Sequence, residues 1–161
     1  MQSECALLAD VLLKKKWFLC TAESCTGGLI AATCTDLAGS SQWFERGFVT
    51  YSNAAKSELL GVPEALIAQH GAVSEPVVRA MASGALAHAH AQVAIAVTGV
   101  AGPSGGTTDK PVGTVWFGFA LPSGVATECH HFQGGRAAVR QATVLHALTR
   151  VAELILKEST P

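Results

Sequence analysis

Residues 92–99 read QVAIAVTG. The run is apolar nearly throughout, which marks a strand covered on both faces rather than one with a wet side. Both faces need helices to cover them, and the neighbouring segments supply them. Upstream, VSEPVVRAMASGALAHAHA (73–91) predicts a helix, with Ser74 as N-cap, Pro76 in the first turn, and Val78, Ala82, Ala85 and Ala89 on one stripe. Downstream, a loop rich in glycine and proline, VAGPSGGTTDKPVG (100–113), leads to two strand-like runs, GTVWFGFALP (113–122) and GVATECHHF (124–132). The turn at Pro122–Ser123–Gly124 makes that pair antiparallel.

The same alternation continues toward both ends. A helix is expected over 3–16, with Leu8, Val11 and Leu12 on one face and Lys14, Lys15 and Lys16 at its C-terminal end, where the helix dipole favours cations. WFLCTA (17–22) predicts a buried strand, 26–37 a helix, GFVTYS (47–52) a strand, and NAAKSELLG (53–61) a short helix closed by Gly61. A last helix is expected from Gly135, with Val144, Leu148, Val151 and Ile155 repeating at helical spacing. Helices alternating with buried strands define an α/β layered domain with a mostly parallel sheet. The 161 residues suit a single domain over 1–161.

Composition narrows the functional classes. Apolar residues make up 49% of the chain and charged residues 14%, which argues against disorder. A net charge of −1 offers no broad basic surface, so nucleic acid is not an expected partner. No segment has the length of a membrane span, and MQSECALLAD lacks the pattern of a signal peptide, so a cytoplasmic location is expected. The five cysteines are odd in number, dispersed and outside any CxxC pair, which reads as reduced thiols. The histidine pairs His88/His90 and His130/His131 each point to different faces, and no set of three ligands is legible; no metal or cofactor is expected. A homo-oligomer is expected, with Trp17 or Trp43 marking an interface.

Ligands in open α/β sheets bind outside the carboxyl ends of the strands. Three segments converge there by topology: TAESCTGG (21–28), TYSNAAK (50–56) and TGVAGPSGG (98–106). Ser24 falls where the first strand turns into a helix. There it can act as a nucleophile beside free backbone N–H groups, or Ser24 or Thr26 can simply cap the helix. A serine nucleophile needs a base. Lys56 is the candidate, because a lysine against an apolar wall loses its proton more readily. The alternative is a solvated helix residue. Tyr51 can relay a proton or orient either group, or be a strand residue with a wet hydroxyl. Cys25 is a rival nucleophile, read as a buried residue at a helix start. Arg136 can clamp a phosphate, whereas Arg140 is read as part of a solvated helix face.

Taken together, TAESCTGG, GSSQWFERGFVTYSNAAKSELLGV, HGAVSEPVV, TGVAGPSGG and KPVGTVWFGFA resemble the CinA C-terminal domain family from about residue 5 to 155. The resemblance implies a three-layer α/β/α sandwich with a mixed sheet. It also implies the activity of the stand-alone members, which hydrolyse nicotinamide mononucleotide to nicotinate mononucleotide and ammonia in bacterial pyridine nucleotide recycling. The family's serine falls on Ser24, its lysine on Lys56, its tyrosine on Tyr51, and the arginine of its GDR segment on Arg136. These matches move Ser24 from cap to nucleophile. The chain reads GGR at that last segment, without the carboxylate that could orient Arg136. At 161 residues no N-terminal domain of the kind many members carry is expected, so only the deamidase is carried over. The implied substrate contacts are Thr26, Gly27 and Gly28, the loop glycines Gly102, Gly105 and Gly106, and Arg136. Glu23 is expected to hold Lys56 or Thr26 in place; the alternative is a helix-start carboxylate favoured by the dipole. The alternatives are a silent nucleotide- or protein-binding domain, or an amidohydrolase acting on another amide.

Overall fold

The structure is a computed structural model and describes residues 1–159; residues 160 and 161 of the expected domain lie outside the described residues. A five-stranded sheet runs in the order β2-β1-β3-β4-β5. Its strands are β1 (Leu19–Glu23), β2 (Phe44–Val49), β3 (Val93–Gly99), β4 (Thr114–Leu121) and β5 (Gly124–His131). β1 pairs in parallel with β2 and β3, while β4 pairs antiparallel with both β3 and β5. Four strands therefore share one direction and β4 alone opposes it, as the hairpin predicted.

The helices are α1 (Gln2–Lys15), α2 (Leu29–Thr35), α3 (Asn53–Leu60), α4 (Glu64–His70), α5 (Glu75–Ala87) and α6 (Arg136–Lys157). β3 explains their placement. Val93, Ile95 and Val97 enter a core shared with α1, α2 and α6, while Ala94 and Ala96 enter a second core with α3, α4 and α5. The result is a three-layer α/β/α sandwich. Alanine on the second face lets α5 lie close, and Gly84 of α5 extends this: a Cβ there would collide with the carbonyl oxygen of Leu60 at the end of α3.

Several expectations shift. The second strand begins at Phe44 and ends at Val49, so Tyr51 and Ser52 lie beyond it. Ser52 instead caps α3, accepting from the Ala55 N–H at 3.0 Å. Helix α4 was not foreseen. Ser74 occupies the N-cap position of α5 as expected, but its hydroxyl donates to the Gly71 carbonyl at 2.8 Å and makes no capping hydrogen bond. His88 and His90 lie past the end of α5. Trp17 and Trp43, offered as exposed interface residues, are both buried in the first core. No helix among the described residues is long and apolar enough to cross a membrane.

Candidate active site

Parallel pairing fixes the site. Glu23, the last residue of β1, aligns with Val49 on one side and Val97 on the other. β1 and β2 thus finish level while β3 runs two residues further to Gly99, and the pairing continues one step past Glu23: Ser24 N–H donates to Val97 O at 3.1 Å and Thr50 N–H to Glu23 O at 2.8 Å. The turn after β1, the start of α3 and the end of β3 are thereby set side by side.

Helix α2 begins at Leu29, three residues later than expected, with Gly28 as N-cap at a φ of 103° that favours glycine. Neither Ser24 nor Thr26 caps it. The buried Glu23 carboxylate does, accepting from the N–H groups of Ile30 at 2.8 Å and Ala31 at 3.0 Å. It also accepts from the Thr26 hydroxyl at 2.6 Å. A carboxylate at a helix N-terminus satisfies donors that would otherwise be orphaned and is favoured by the dipole. Glu23 thus holds Thr26, as one of its two expected partners, and Ser24 is left free of capping.

Lys56 is only 1% exposed, although it carries an ammonium-forming group. Its Nζ lies 3.1 Å from Ser24 Oγ, 3.0 Å from the Thr50 carbonyl oxygen and 3.2 Å from that of Tyr51. Burial pulls its pKa below the ordinary 10.5, because the charged form loses its hydration. The three oxygens can take the three N–H groups of the ammonium, or, in the neutral amine, two N–H groups serve the carbonyls and the lone pair faces a Ser24 hydroxyl that can donate. Cys25 sits next in sequence, but burial pushes its thiol up to about 11, which keeps it protonated near neutral pH.

Ser24, Cys25, Tyr51, Asn53, Lys56, Thr98, Gly99, Ala101 and Arg136 surround a cleft of about 200 Å³, closed on one side by Ala72 and Val73. Ser24 and Lys56 are buried at its base, while Tyr51, 61% exposed, stands at its rim. The Tyr51 hydroxyl accepts from Arg136 Nη2 at 3.3 Å rather than meeting Lys56, so its side chain is not placed as a relay to the serine. Arg136 Nη1 donates to the Gly102 carbonyl at 2.9 Å.

The structure does not bring all the expected substrate contacts to the cleft. Thr26 is fully buried with its hydroxyl on Glu23. Gly27, Gly28, Gly105 and Gly106 do not line the cleft, and Gly102 reaches it only through Arg136. Arg140, read as solvated, is a structural clamp instead: its guanidinium donates to Cys25 O at 3.2 Å and Thr26 O at 3.1 Å, gripping the Ser24 turn from α6. The Gly27 N–H is committed to Ser24 O at 3.1 Å, whereas the N–H groups of Cys25 and Thr26 have no acceptor among the described residues. Sequence reasoning missed the wall formed by Ala72 and Val73, whose only signal was the HGAVSEPVV motif (70–78).

An α/β/α domain with a serine and a buried lysine in contact at the carboxyl ends of its parallel strands is the class that emerges. The model described as "CinA C-terminal domain" matches residues 2–155, and the chain belongs to that family. A protein of Enterobacter agglomerans named nicotinamide-nucleotide amidohydrolase PncC is 60% identical over 150 residues, 92% of each chain. The protein of that name in Escherichia coli K12 is 55% identical over 142 residues, 86% of this chain and 85% of that one. Among solved structures, the competence damage-inducible protein A of Klebsiella pneumoniae MGH 78578 superposes with a TM-score of 0.95 at 39% identity, covering 98% of each chain.

Proposed function

We propose that this protein is a nicotinamide-nucleotide amidohydrolase that cleaves the carboxamide of nicotinamide mononucleotide through a Ser24–Lys56 pair. The names of the relatives at 55% and 60% identity over most of the chain support the substrate. The observation that carries the mechanism is the 3.1 Å contact between Ser24 Oγ and a lysine Nζ shut off from water.

In the proposed reaction, neutral Lys56 takes the Ser24 proton directly as Oγ attacks the carboxamide carbon. The N–H groups of Cys25 and Thr26 are the donors available to the tetrahedral oxyanion. Lys56 returns the proton to the leaving nitrogen, ammonia departs, and an ester of nicotinate mononucleotide, its ribosyl phosphate still attached, remains on Ser24. Water then attacks the ester, Lys56 accepting its proton and passing it to Oγ. The balance is one amide and one water to one carboxylate and one ammonium. Arg136, held at the rim by Gly102 and Tyr51, is assigned to the substrate phosphate. Glu23 and Arg140 hold the turn that carries Ser24.

The silent binding-domain reading expects Ser24 and Lys56 apart, and their contact favours the hydrolase. Mass analysis of enzyme quenched during turnover, intact and after digestion, tests the chemistry: an adduct of the mass of nicotinamide mononucleotide less ammonia, on the Ser24 peptide, is expected. Turnover of nicotinamide mononucleotide without any such adduct, even at low pH where ester hydrolysis slows, overturns the covalent route. Turnover only of other amides overturns the substrate.

A further inference from the structure

Away from the cleft, β5 and α6 bring together three side chains able to ligate a metal. Glu128 and His130 are two apart on β5 and share a face. His146 reaches them from α6. His146 Nε2 lies 3.0 Å and His130 Nε2 3.4 Å from the same carboxylate oxygen, Glu128 Oε2. The three ligand atoms all lie within 4.8 Å of one another. Tetrahedral zinc with bonds of about 2.0–2.2 Å spaces its ligand atoms roughly 3.3 Å apart. Two spacings already match that figure, and the third needs to contract by at most about 1.5 Å.

The surroundings are built like those of a metal centre. Glu128 Oε1 accepts from Arg150 Nε, which fixes the carboxylate and leaves Oε2 facing the imidazoles. Arg150 is in turn paired with Glu153 at 2.8 Å, which offsets its charge. Phe117 packs edge-on against His146 at 4.6 Å and His130 at 5.6 Å, and Phe132 stacks on His130 at 5.8 Å. These contacts hold both rings in orientation, as partners of ligating groups do. All three ligands are only partly buried, which leaves a fourth position for water.

We propose that Glu128, His130 and His146 form a zinc site that ties the edge strand β5 to α6. Two imidazoles with one carboxylate suit a borderline cation such as Zn²⁺ over Mg²⁺ or Ca²⁺, which prefer oxygen. The site takes no part in the amide chemistry. Its link to the cleft is α6, whose first turns carry Arg136 and Arg140.

The test is a zinc titration of the metal-stripped enzyme against a chromogenic chelator, with the thermal midpoint read in parallel. One equivalent per chain is expected, with a rise in the midpoint. His146→Gln and His130→Asn should each weaken binding at least ~10-fold and abolish the rise. Their folding is verified by unchanged circular dichroism and retained amidase activity. Cys129→Ser, at the neighbouring thiol, should bind as the wild type does. Absence of saturable zinc binding, equal affinity in the histidine variants, loss of binding in Cys129→Ser, or displacement of zinc by equimolar Mg²⁺ would each overturn the proposal.

Discussion

Lys56 Nζ and Ser24 Oγ, 32 residues apart in the chain, meet at 3.1 Å beneath the cleft. The serine hangs from the end of β1 and the lysine from the first turns of α3. Only the level finish of β1 and β2 lets them touch. If the pair acts as a unit, Ser24→Ala and Lys56→Met should each lower kcat by roughly 10³-fold or more, and the double variant should fall little further. Steady-state rates of the four enzymes check this; additive losses would mean separate roles. Lys56→Met should leave stability unchanged or raise it, because it removes a buried cation at similar volume.

The protonation of Lys56 gives two pH signatures. Activity should rise with pH as the amine loses its proton, with a midpoint below the ordinary 10.5. Lys56→Arg should be inactive throughout, since a guanidinium keeps its proton. Stability follows the same group. The folded-state pKa is lowered, so between that value and 10.5 the unfolded chain binds more protons. Unfolding free energy therefore rises with pH across that window, and the burial penalty is fully present below it. Denaturant melts of wild type and Lys56→Met as a function of pH should differ in slope there and converge above it.

Glu23 makes a different prediction. Glu23→Ala strips the carboxylate from the Ile30 and Ala31 N–H groups and the Thr26 hydroxyl. It should cost about 1–3 kcal/mol of stability. Activity should fall as well, since the same turn carries Ser24. Urea melts and kcat measured together test both; a stable, fully active variant would remove Glu23 from the support of the site.

Arg136 should read the phosphate. Arg136→Ala is expected to raise KM for nicotinamide mononucleotide by roughly 10–100-fold, the effect of one charge-assisted bidentate contact. It should leave the constants for the phosphate-free riboside nearly unchanged. Equal losses on both substrates would place Arg136 in the chemistry or the fold rather than in phosphate recognition.

Arg140→Ala should lower kcat about tenfold with little change in KM, because Arg140 touches the carbonyls of Cys25 and Thr26 and does not line the cleft. A selective rise in KM would contradict that positioning role.

What could be read from the chain follows from the range of the interactions. β3 was legible because five apolar residues in a row, Val93–Val97, admit little besides a strand buried on both faces. β2 was placed three residues late because it is an edge strand whose start carries Glu45 and Arg46, so its apolar signal appears only toward Phe48. The seven-residue α4 is too short to show a periodicity. Ser24 and Lys56 were legible through their motifs. That Glu23 could serve as a helix-start carboxylate was legible too, but not which N–H groups it caps, because they lie seven and eight residues on and leave no local pattern. Arg140 and His146 were misjudged or missed for a related reason. Their partners lie 115 and 18 residues away, and only the docking of α6 on the sheet brings them into contact.

The most direct test of the central claim is ammonia release from nicotinamide mononucleotide by the purified protein, beside a Ser24→Ala variant and with no metal added. The Ser24–Lys56 account predicts release by the wild type and none above background by the variant. Equal release by both would contradict it, because the nucleophile would then be something other than Ser24.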